Sequence, residues 1–442
     1  MNEILARNLL IRPVHALRGE RIGKYFKEAK AVESLTKDAV AEFQQRKLLA
    51  LLKTASRTSP YYSQLFNTLW GRDTIPKDAL ADFKRIPFLT KEIVRQTQNA
   101  SSRFSSKCQL DCRSTSGSTG IPLRFFKDRF ATGHMEAVQL CAYSWNDIGA
   151  GAPQGRFWGM PQGAKGKLLT NTKDFLKNRI RFSAFDLDDG AKTAFYNKLK
   201  SFKPTYFYGY PSLICEFGRF LKEKNLDLST VPLRVIIGTG EFVYADEKQE
   251  IEKTFQVPFV NEYGCTETGV IAFDCSQGRM HVMVPNIYLE VLKDDVPVID
   301  EEGEICVTEL NSVHFPFIRY KIGDRGKLVS DPCPCGLHWP VLEILAGRRD
   351  DYVITPGGDK IYDAIFAYTL KDGIVNFKAV QESKSLIVVY LITDSTFNNE
   401  MHNKYINQLK NVIGDSIEVR FELTDVINRT NAGKFRYFER RF

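Results

Sequence analysis

The chain has 442 residues, of which 43% are apolar and 26% are charged, so it is long enough for two or three domains with substantial cores. It has no run of about eighteen apolar residues, which excludes a membrane-spanning helix. The net charge of +8 suits anionic ligands. No zinc-finger, RNP or other nucleic-acid motif accompanies this charge, and we expect no nucleic-acid partner.

The N-terminal residues and the cysteines indicate the cellular compartment. Residues 1–30 are basic, and Arg7, Arg12, Arg18 and Arg21 interrupt the apolar core that a signal peptide needs. Nine cysteines, an odd number, then predict reduced thiols and a cytoplasmic location. Two interpretations of the basic segment stay open, a peripheral contact with anionic lipid or a solvated basic face, and the second is favoured.

The first part of the chain is predicted to be a packing scaffold. Residues 1–58 form a helical extension, in which apolar spacing predicts one helix over residues 30–56. Thr90 is predicted to cap a further helix that ends at Gln98. We assign no chemistry to this part.

Residues 114–122, Ser-Thr-Ser-Gly-Ser-Thr-Gly-Ile-Pro, combine hydroxyl side chains with glycines. Glycine permits a tight turn whose backbone N–H groups can form a concave anion site, and the hydroxyls add further donors. A flexible linker is the alternative. Apolar residues recur at helical spacing over residues 130–148, however, so the stretch opens into a helix. We therefore predict a polyphosphate-binding loop.

A β-α-β-α-β pattern follows, and it predicts a parallel sheet. The elements are strands over 205–209, 233–238 and 258–263 and helices over 211–221 and 244–255. Each strand ends in a glycine-containing turn, and these turns occupy residues 208–210, 238–241 and 263–267. Because ligands bind beyond the carboxyl ends of parallel strands, the three turns predict one nucleotide site.

The pattern changes after residues 347–351, Gly-Arg-Arg-Asp-Asp, a charged segment that fits a linker. The rest predicts a small α+β domain, with strands over 374–382, 386–393 and 417–421 and a helix over 401–412.

Six short motifs of the chain occur in the order in which one enzyme family carries them: residues 114–122, 238–241, 263–267, 319–324, 347–351 and 430–436. From about residue 59 onward the chain resembles adenylate-forming enzymes of the ANL superfamily, in the branch of phenylacetate–CoA ligases, CapK proteins and coenzyme F390 synthetase. Ile322 stands where the family usually has threonine. The resemblance implies an α/β fold with a large adenylation domain of parallel-rich sheets (1–346), a hinge (347–351) and a small mobile α+β lid domain (352–442).

The resemblance also implies a reaction in two steps. A carboxylate attacks the α-phosphate of ATP to give an acyl-adenylate and pyrophosphate, and a second nucleophile then displaces AMP. Since a carboxylate is ionised at pH 7, the first step needs positioning and charge neutralisation rather than a general base. The implied catalytic residues are Lys434, which bridges the carboxylate and the α-phosphate, Glu267, which holds Mg²⁺, and Thr266.

The implied nucleotide site draws on several motifs. Asp324 would accept both ribose hydroxyls, and Tyr263 would cover the adenine. The other expected ATP contacts come from three segments: residues 114–122, which we call the hydroxyl loop, residues 238–241, which we call the adenine turn, and the hinge. These contacts are Ser116, Gly117, Ser118, Thr119, Gly120, Gly240, Glu241, Arg348 and Asp350. Three of the charged residues also have a purely structural interpretation. Glu267 could be a helix-terminal charge, Asp324 a turn aspartate and Lys434 a solvated lysine.

The favoured function is ATP-dependent ligation of a small-molecule carboxylate, with coenzyme A as the acceptor. Alternatives are a nucleotidyltransferase that leaves AMP on a hydroxyl, an amide-forming ligase in polysaccharide biosynthesis, and a non-catalytic scaffold. The aromatic residues 206–210 and the helix of Trp145 are predicted to line the acyl pocket, with core packing as the alternative. The identity of the acid and the oligomeric state are left open.

Four side chains suggest a structural zinc site. Cys275 and His281 are separated by five residues, and Cys333 and Cys335 form a Cys-Pro-Cys-Gly turn about fifty residues later. Thiolate and imidazole ligands at this spacing suit tetrahedral Zn²⁺. Two alternatives stay open, four unrelated small residues and a site that uses His338.

Overall fold

The computed structural model describes residues 2–71, 75–76, 78–98, 110–115, 123–160, 164–185, 187–348, 352–430 and 435–442. Its contacts divide the chain into two compact units. The larger unit comprises Met1–Ile322 and Lys327–Glu343, and the smaller comprises Gly323–Gly326 and Ile344–Phe442.

Helices precede and surround the sheet of the larger unit, and two belong to the smaller unit. They are α1 (Glu3–Leu5), α2 (Arg12–Leu17), α3 (Ile22–Val32), α4 (Lys37–Thr58), α5 (Pro60–Trp70), α6 (Lys91–Gln98), α7 (Arg129–Ser144), α8 (Ala164–Leu176), α9 (Asp189–Phe202), α10 (Pro211–Glu223), α11 (Ala245–Phe255), α12 (Ala364–Thr369) and α13 (Asn399–Ile413). A π-helical segment, Ala6–Ile11, joins α1 to α2, and a 3₁₀ turn covers Phe83–Arg85.

The described strands form four sheets. They are β1 (Leu110–Ser114), β2 (Arg124–Asp128), β3 (Gln154–Trp158), β4 (Arg179–Ser183), β5 (Tyr206–Gly209), β6 (Val235–Thr239), β7 (Phe259–Cys265), β8 (Gly269–Asp274), β9 (Met280–Val282), β10 (Ile287–Lys293), β11 (Val296–Pro297), β12 (Gly303–Glu309), β13 (Tyr320–Val329), β14 (Val341–Arg348), β15 (Tyr352–Ile354), β16 (Lys360–Tyr362), β17 (Ile374–Ser383), β18 (Leu386–Thr393), β19 (Glu418–Leu423) and β20 (Phe438–Arg440). β1 pairs with β2, and β15 pairs with β16.

One twelve-stranded sheet has the order β11-β10-β12-β13-β14-β9-β8-β7-β6-β5-β3-β4. Strands β4, β3, β5, β6 and β7 are mutually parallel, and β8 then pairs antiparallel with β7. The predicted β-α-β-α-β order is therefore confirmed, as is the α/β fold class. The central parallel strands β5 and β6 are wholly buried because helices such as α10 cover them with apolar faces.

The N-terminal helices differ from the prediction in one respect. The helix expected over residues 30–56 is two helices, α3 and α4, because Thr36 caps α4 by accepting a hydrogen bond from the backbone N–H of Ala39. Helix α3 packs against α7, and the following Glu33 accepts a hydrogen bond of 2.8 Å from Trp145 Nε1. The N-terminal helices are thus built into the larger unit. Among the residues described, no helix has the length and apolarity to cross a membrane.

The smaller unit has a four-stranded sheet of order β19-β18-β17-β20, with α13 packed on it. The predicted helix and three strands of this unit are confirmed. The sequence analysis missed β20, which pairs parallel with β17. Three residues are too few to show strand periodicity, so only the tertiary pairing identifies this strand.

We predict that His134 makes the stability of the protein depend on pH. Its ring lies 3.7 Å from that of Tyr25 in a stacked arrangement, and burial lowers its pKa to about 4. Between pH 6.5 and 4 the unfolded chain therefore binds a proton that the folded chain does not, so the free energy of unfolding falls as the pH falls. His134 should account for about 2 kcal/mol of the loss between pH 7 and pH 5.

Urea unfolding of His134→Phe at the two pH values measures this contribution, since phenylalanine keeps the ring packing and does not titrate. His338→Phe is the matched control because His338 is exposed. An equal loss of stability in wild type and His134→Phe would contradict the prediction.

Candidate active site

The carboxyl ends of β5, β6 and β7 lie at one edge of the large sheet. Gly209 of β5 is aligned with Gly238 of β6, and Gly238 with Asn261 of β7. A Cβ atom on Gly209 would lie 1.9 Å from the carbonyl oxygen of Phe157, and glycine is required there. The three turns that the sequence analysis selected therefore meet at this edge.

The adenine turn, residues 238–241, begins inside β6. Gly240 has a φ of +81°, a conformation that favours glycine. The Glu241 carboxylate accepts a hydrogen bond of 3.2 Å from the backbone N–H of Ser212, at the start of α10. The turn is thereby attached to the helix that follows the neighbouring strand, which fixes its path at the edge.

The motif at residues 263–267 covers the end of β7 and the start of the turn to β8. Tyr263 is half-buried and Thr266 is exposed. Glu267 is only 3% exposed, and its Oε1 accepts a hydrogen bond of 2.8 Å from the Tyr320 hydroxyl. Burial and the Glu267 carboxylate together raise the pKa of Tyr320, so the tyrosine stays a donor at neutral pH. The structure thus fixes one oxygen of a buried carboxylate close to the strand ends.

Glu262 is a functional candidate that the sequence analysis missed. It precedes Tyr263 in β7 and points to the opposite face of the sheet, towards α7. Its carboxylate accepts hydrogen bonds from Tyr208 at 2.8 Å, from Tyr143 at 2.9 Å and from Gln139 at 3.0 Å. One signal was present in the sequence, namely a single acidic residue within a strand that is otherwise mostly apolar.

Aromatic and cationic side chains lie beside this carboxylate. The Arg156 guanidinium is 4.6 Å from the centre of the Tyr208 ring and 4.7 Å from that of Trp158. Trp158 also stacks on Tyr210, with 4.3 Å between ring centres. The aromatic residues 206–210 are therefore held by polar and stacking contacts at the strand ends. Trp145 lies elsewhere, with its ring near Trp339 and His281.

Arg319, the first residue of the fourth motif, has a structural role. It is 2% exposed, and two of its nitrogens lie 3.1 Å from the Glu290 carboxylate. Its Nη1 donates to the carbonyl oxygens of Lys84 and Ile86. Asp324 lies further along β13 in the part grouped with the smaller unit, and it is half-buried.

Most of the hydroxyl loop lies outside the described residues, including its predicted phosphate contacts Ser116, Gly117, Ser118, Thr119 and Gly120. Strands β1 and β2 flank the loop and pair in antiparallel orientation. The backbone N–H of Thr115 donates to the carbonyl of Leu123 at 2.9 Å, which brings the two ends of the loop together.

Asp350 of the predicted hinge and Lys434 of the predicted lid domain also lie outside the described residues. Arg348 is the last residue of β14, so the first two residues of the predicted hinge belong to a strand.

The four predicted zinc ligands come together in the larger unit, with all four ligand atoms within 4.8 Å of one another. Cys275 Sγ is 3.7 Å from Cys333 Sγ, and Cys335 Sγ is 3.3 Å from His281 Nε2. His281 Nδ1 donates to the carbonyl of Trp339 at 2.9 Å, which directs Nε2 towards the thiols.

This geometry fits a zinc ion. Two thiolates bonded to one tetrahedral Zn²⁺ at about 2.3 Å each are about 3.8 Å apart. The observed separation of Cys275 and Cys333 is close to this value. His338 is exposed and is not part of the cluster, so the structure selects His281 between the two candidate histidines.

Two segments of the chain match known protein families. Residues 181–312 match the model of the AMP-binding enzyme family, and residues 353–441 match the CapK C-terminal domain. Protein CapK of Staphylococcus aureus is 23% identical over 424 residues, which cover 93% of this chain and 91% of that protein.

Solved structures show the same fold. A 2-hydroxyisobutyryl-CoA ligase in its postadenylation state aligns with a TM-score of 0.72 at 19% identity, over 92% of this chain and 90% of that one. The same ligase in its thioesterification state aligns with a TM-score of 0.60 at 20% identity, over 92% and 91%. The chain therefore combines a segment that matches the AMP-binding enzyme family with a segment that matches the CapK C-terminal domain, on the fold of this ligase.

Proposed function

We propose that this protein is an ATP-dependent, AMP-forming carboxylate ligase whose acyl acceptor is coenzyme A. In the first step a carboxylate oxygen bonds to the α-phosphorus of ATP, and pyrophosphate leaves. In the second step the thiol sulfur bonds to the acyl carbon, the thiol proton is lost, and AMP leaves with the bonding electrons. One observation carries this proposal: the buried Glu267 carboxylate, held by Tyr320 at the edge where the parallel strands end.

Glu267 is the residue that we assign to magnesium. Its carboxylate supplies the oxygen ligand that Mg²⁺ prefers, and burial strengthens electrostatic interactions at this position. When bound, the metal would neutralise phosphate charge as pyrophosphate departs. The hydrogen bond from Tyr320 orients Glu267 before any ligand arrives, so little reorganisation is required.

The nucleotide contacts rest on the turns at the same edge. Tyr263 lies on the face of β7 opposite Glu262, and we assign it to the adenine. Gly240 supplies a backbone that can approach the base closely. By resemblance to the family, Asp324 binds the ribose, the hydroxyl loop binds the phosphates, and Lys434 neutralises charge during adenylation.

The choice of coenzyme A as acceptor has support from two structures of one solved relative. The 2-hydroxyisobutyryl-CoA ligase was crystallised with an acyl-adenylate in one state and with acyl-adenylate plus CoA in another. AMP transfer to a hydroxyl and amide formation differ from thioester formation only in the final nucleophile. Analysis of the product distinguishes these three reactions.

The decisive experiment measures pyrophosphate release across aryl, fatty, hydroxy and amino acids, with and without coenzyme A. We expect release that depends on one class of acid, and a thioester product when coenzyme A is present. Glu267→Gln should lower this release by about 100-fold, because the amide cannot neutralise the metal charge. Its oxygen can still accept the hydrogen bond from Tyr320, so the fold should persist.

Tyr320→Phe is the matched variant, since it removes the hydroxyl and leaves the carboxylate. We expect a smaller loss, about tenfold, together with a higher magnesium requirement. Full activity of Glu267→Gln would contradict the assignment. AMP retained on the product would instead support the nucleotidyltransferase, and the absence of ATP binding would support a scaffold.

Lys434 gives a prediction that separates the two half-reactions. Lys434→Ala should lower adenylation by about 100-fold, since a positive charge on the reacting phosphate is lost. The same variant should keep most thioester formation from a synthetic acyl-adenylate. Lys384→Ala is the control, because Lys384 is an exposed lysine in the turn between β17 and β18. Equal loss of both half-reactions would refute this division of roles.

We also assign a structural zinc ion to Cys275, His281, Cys333 and Cys335. All four ligands come from protein side chains, so no coordination position is open for catalysis. The ion would join the turn between β8 and β9 to the turn that precedes β14. This ion serves stability alone.

Elemental analysis of the purified protein should find one zinc per chain. Cys333→Ser should lose the zinc and lower the melting temperature, because the loops it joins would be released. Cys112→Ser is the control, since Cys112 is exposed and lies outside the cluster. A protein with far less than one zinc per chain and an unchanged melting temperature in Cys333→Ser would refute the site.

A further inference from the structure

Exposed apolar side chains are concentrated in two short segments of the larger unit. The described residues include seventeen large apolar side chains that are exposed, and seven of them lie within residues 2–17 and helix α8. These segments make up less than a tenth of the chain. The seven side chains are Ile4, Leu5, Leu9, Leu17, Leu168, Leu169 and Phe175.

The two segments are neighbours in the fold. Helix α8 contacts the π-helical segment Ala6–Ile11. The first helical turns are also fixed to the body of the unit, because the backbone of Arg7 passes so close to Gly151 that a Cβ atom there would lie 2.8 Å from its nitrogen. The two segments therefore lie side by side, and we call their exposed apolar side chains, together with their basic residues, the apolar-basic surface.

The basic residues of the two segments outnumber the acidic ones. Residues 2–17 contribute Arg7 and Arg12, and α8 contributes Lys167 and Lys173, while Lys177 after α8 is paired with Glu136 of α7. Each segment has one acidic residue, and neither projects freely into solvent. Asp174 is buried and paired with Arg179 and Arg181, and Glu3 is half-buried beside Gly149.

On α8 the exposed apolar residues follow helical spacing. Leu168 and Phe175 are seven residues apart and lie on the same face, and Lys167 is exposed next to them. Apolar side chains flanked by lysine and arginine are the pattern of helices that lie in a membrane interface. The aliphatic parts of the lysines can extend along the apolar region while their ammonium groups reach anionic headgroups.

A cavity of about 780 Å³ opens beside this surface, between α8, β4 and α9. Phe175 forms part of its wall, and Phe182 and Phe195 line its apolar interior. Lys198 adds a positive charge to the lining, whereas Arg179 and Arg181 are paired there with Asp174. An apolar interior beside a lysine matches an amphiphile that has an anionic head.

We propose that the apolar-basic surface binds the surface of membranes that contain anionic lipid. The charge decides the occupant, because a second copy of this chain would bring like charges together, whereas an anionic bilayer offers both opposite charge and an apolar layer. Binding requires no spanning helix, since the two segments lie in the interface with their apolar side chains inserted. This contact is independent of the ligase chemistry.

Cosedimentation of the full-length protein with vesicles tests the proposal. We expect binding to phosphatidylcholine vesicles that contain roughly a third phosphatidylglycerol, weaker binding to phosphatidylcholine alone, and loss of binding in about 1 M salt, where the screening length falls to about 3 Å. Leu168→Ser/Phe175→Ser should lower the partition coefficient by about tenfold. Lys167→Glu/Lys173→Glu should lower it by at least as much.

A second apolar variant, Leu9→Ser/Leu17→Ser, tests the other segment. The matched control is Val296→Ser/Ile299→Ser, which changes two equally exposed apolar residues that lie among Asp294, Asp295 and Asp300. The control should bind like wild type. The melting temperature of every variant is expected to match that of wild type, because all the substituted side chains are exposed.

Three results would overturn the proposal. The first is no binding to anionic vesicles, and the second is equal partition of the control and the surface variants. The third is a dimer in lipid-free sedimentation that Leu168→Ser/Phe175→Ser dissociates, which would make the surface an interface between copies of the chain.

Discussion

The central constraint in the larger unit is the buried carboxylate of Glu262. A buried charge is costly unless hydrogen bonds satisfy it, and three donors converge on this one from β5 and α7. The interaction ties two parallel strands to the helix that follows the hydroxyl loop. Because side chains alternate along a strand, fixing Glu262 against α7 turns Tyr263 to the other face. The orientation of Tyr263 thus depends on the hydrogen bonds of its neighbour Glu262.

The edge of the sheet is built by close packing as much as by polar contacts. Gly238 has no room for a side chain, since a Cβ atom would lie 2.1 Å from the ring of Phe259. Small residues at the strand ends keep the backbones together and leave the turns beyond them to project outward. The buried Arg319 then holds β13 against residues 84–89, which positions Tyr320 to orient Glu267.

The N-terminal helices connect to the rest of the larger unit through tryptophans. Trp145 donates to Glu33, and Trp339 donates to the carbonyl of Val32 at 3.2 Å. Trp339 also accepts the hydrogen bond from His281 that orients the Cys/His cluster. The extension, the helix α7 and the cluster therefore form one continuous set of contacts. A helical segment with no evident chemistry thereby supports the region that carries the zinc candidate.

The sequence by itself determined the parallel core and the place of the three glycine-containing turns. Apolar strands alternating with amphipathic helices specify a parallel sheet, and its topology requires the three turns to meet at one edge. The small C-terminal domain was equally predictable because its strands and helix are long enough to show their periods.

Only the tertiary structure decided which residues act together across the chain. The partners of Glu262 lie more than fifty residues from it, the choice of His281 over His338 depends on burial, and β20 exists only through its pairing with β17. The apolar-basic surface likewise joins segments about 150 residues apart. The local sequence pattern encodes the periodicity and the end of each helix or strand. It does not encode which distant side chains come within hydrogen-bonding distance, because that is settled by packing once the sheet has formed.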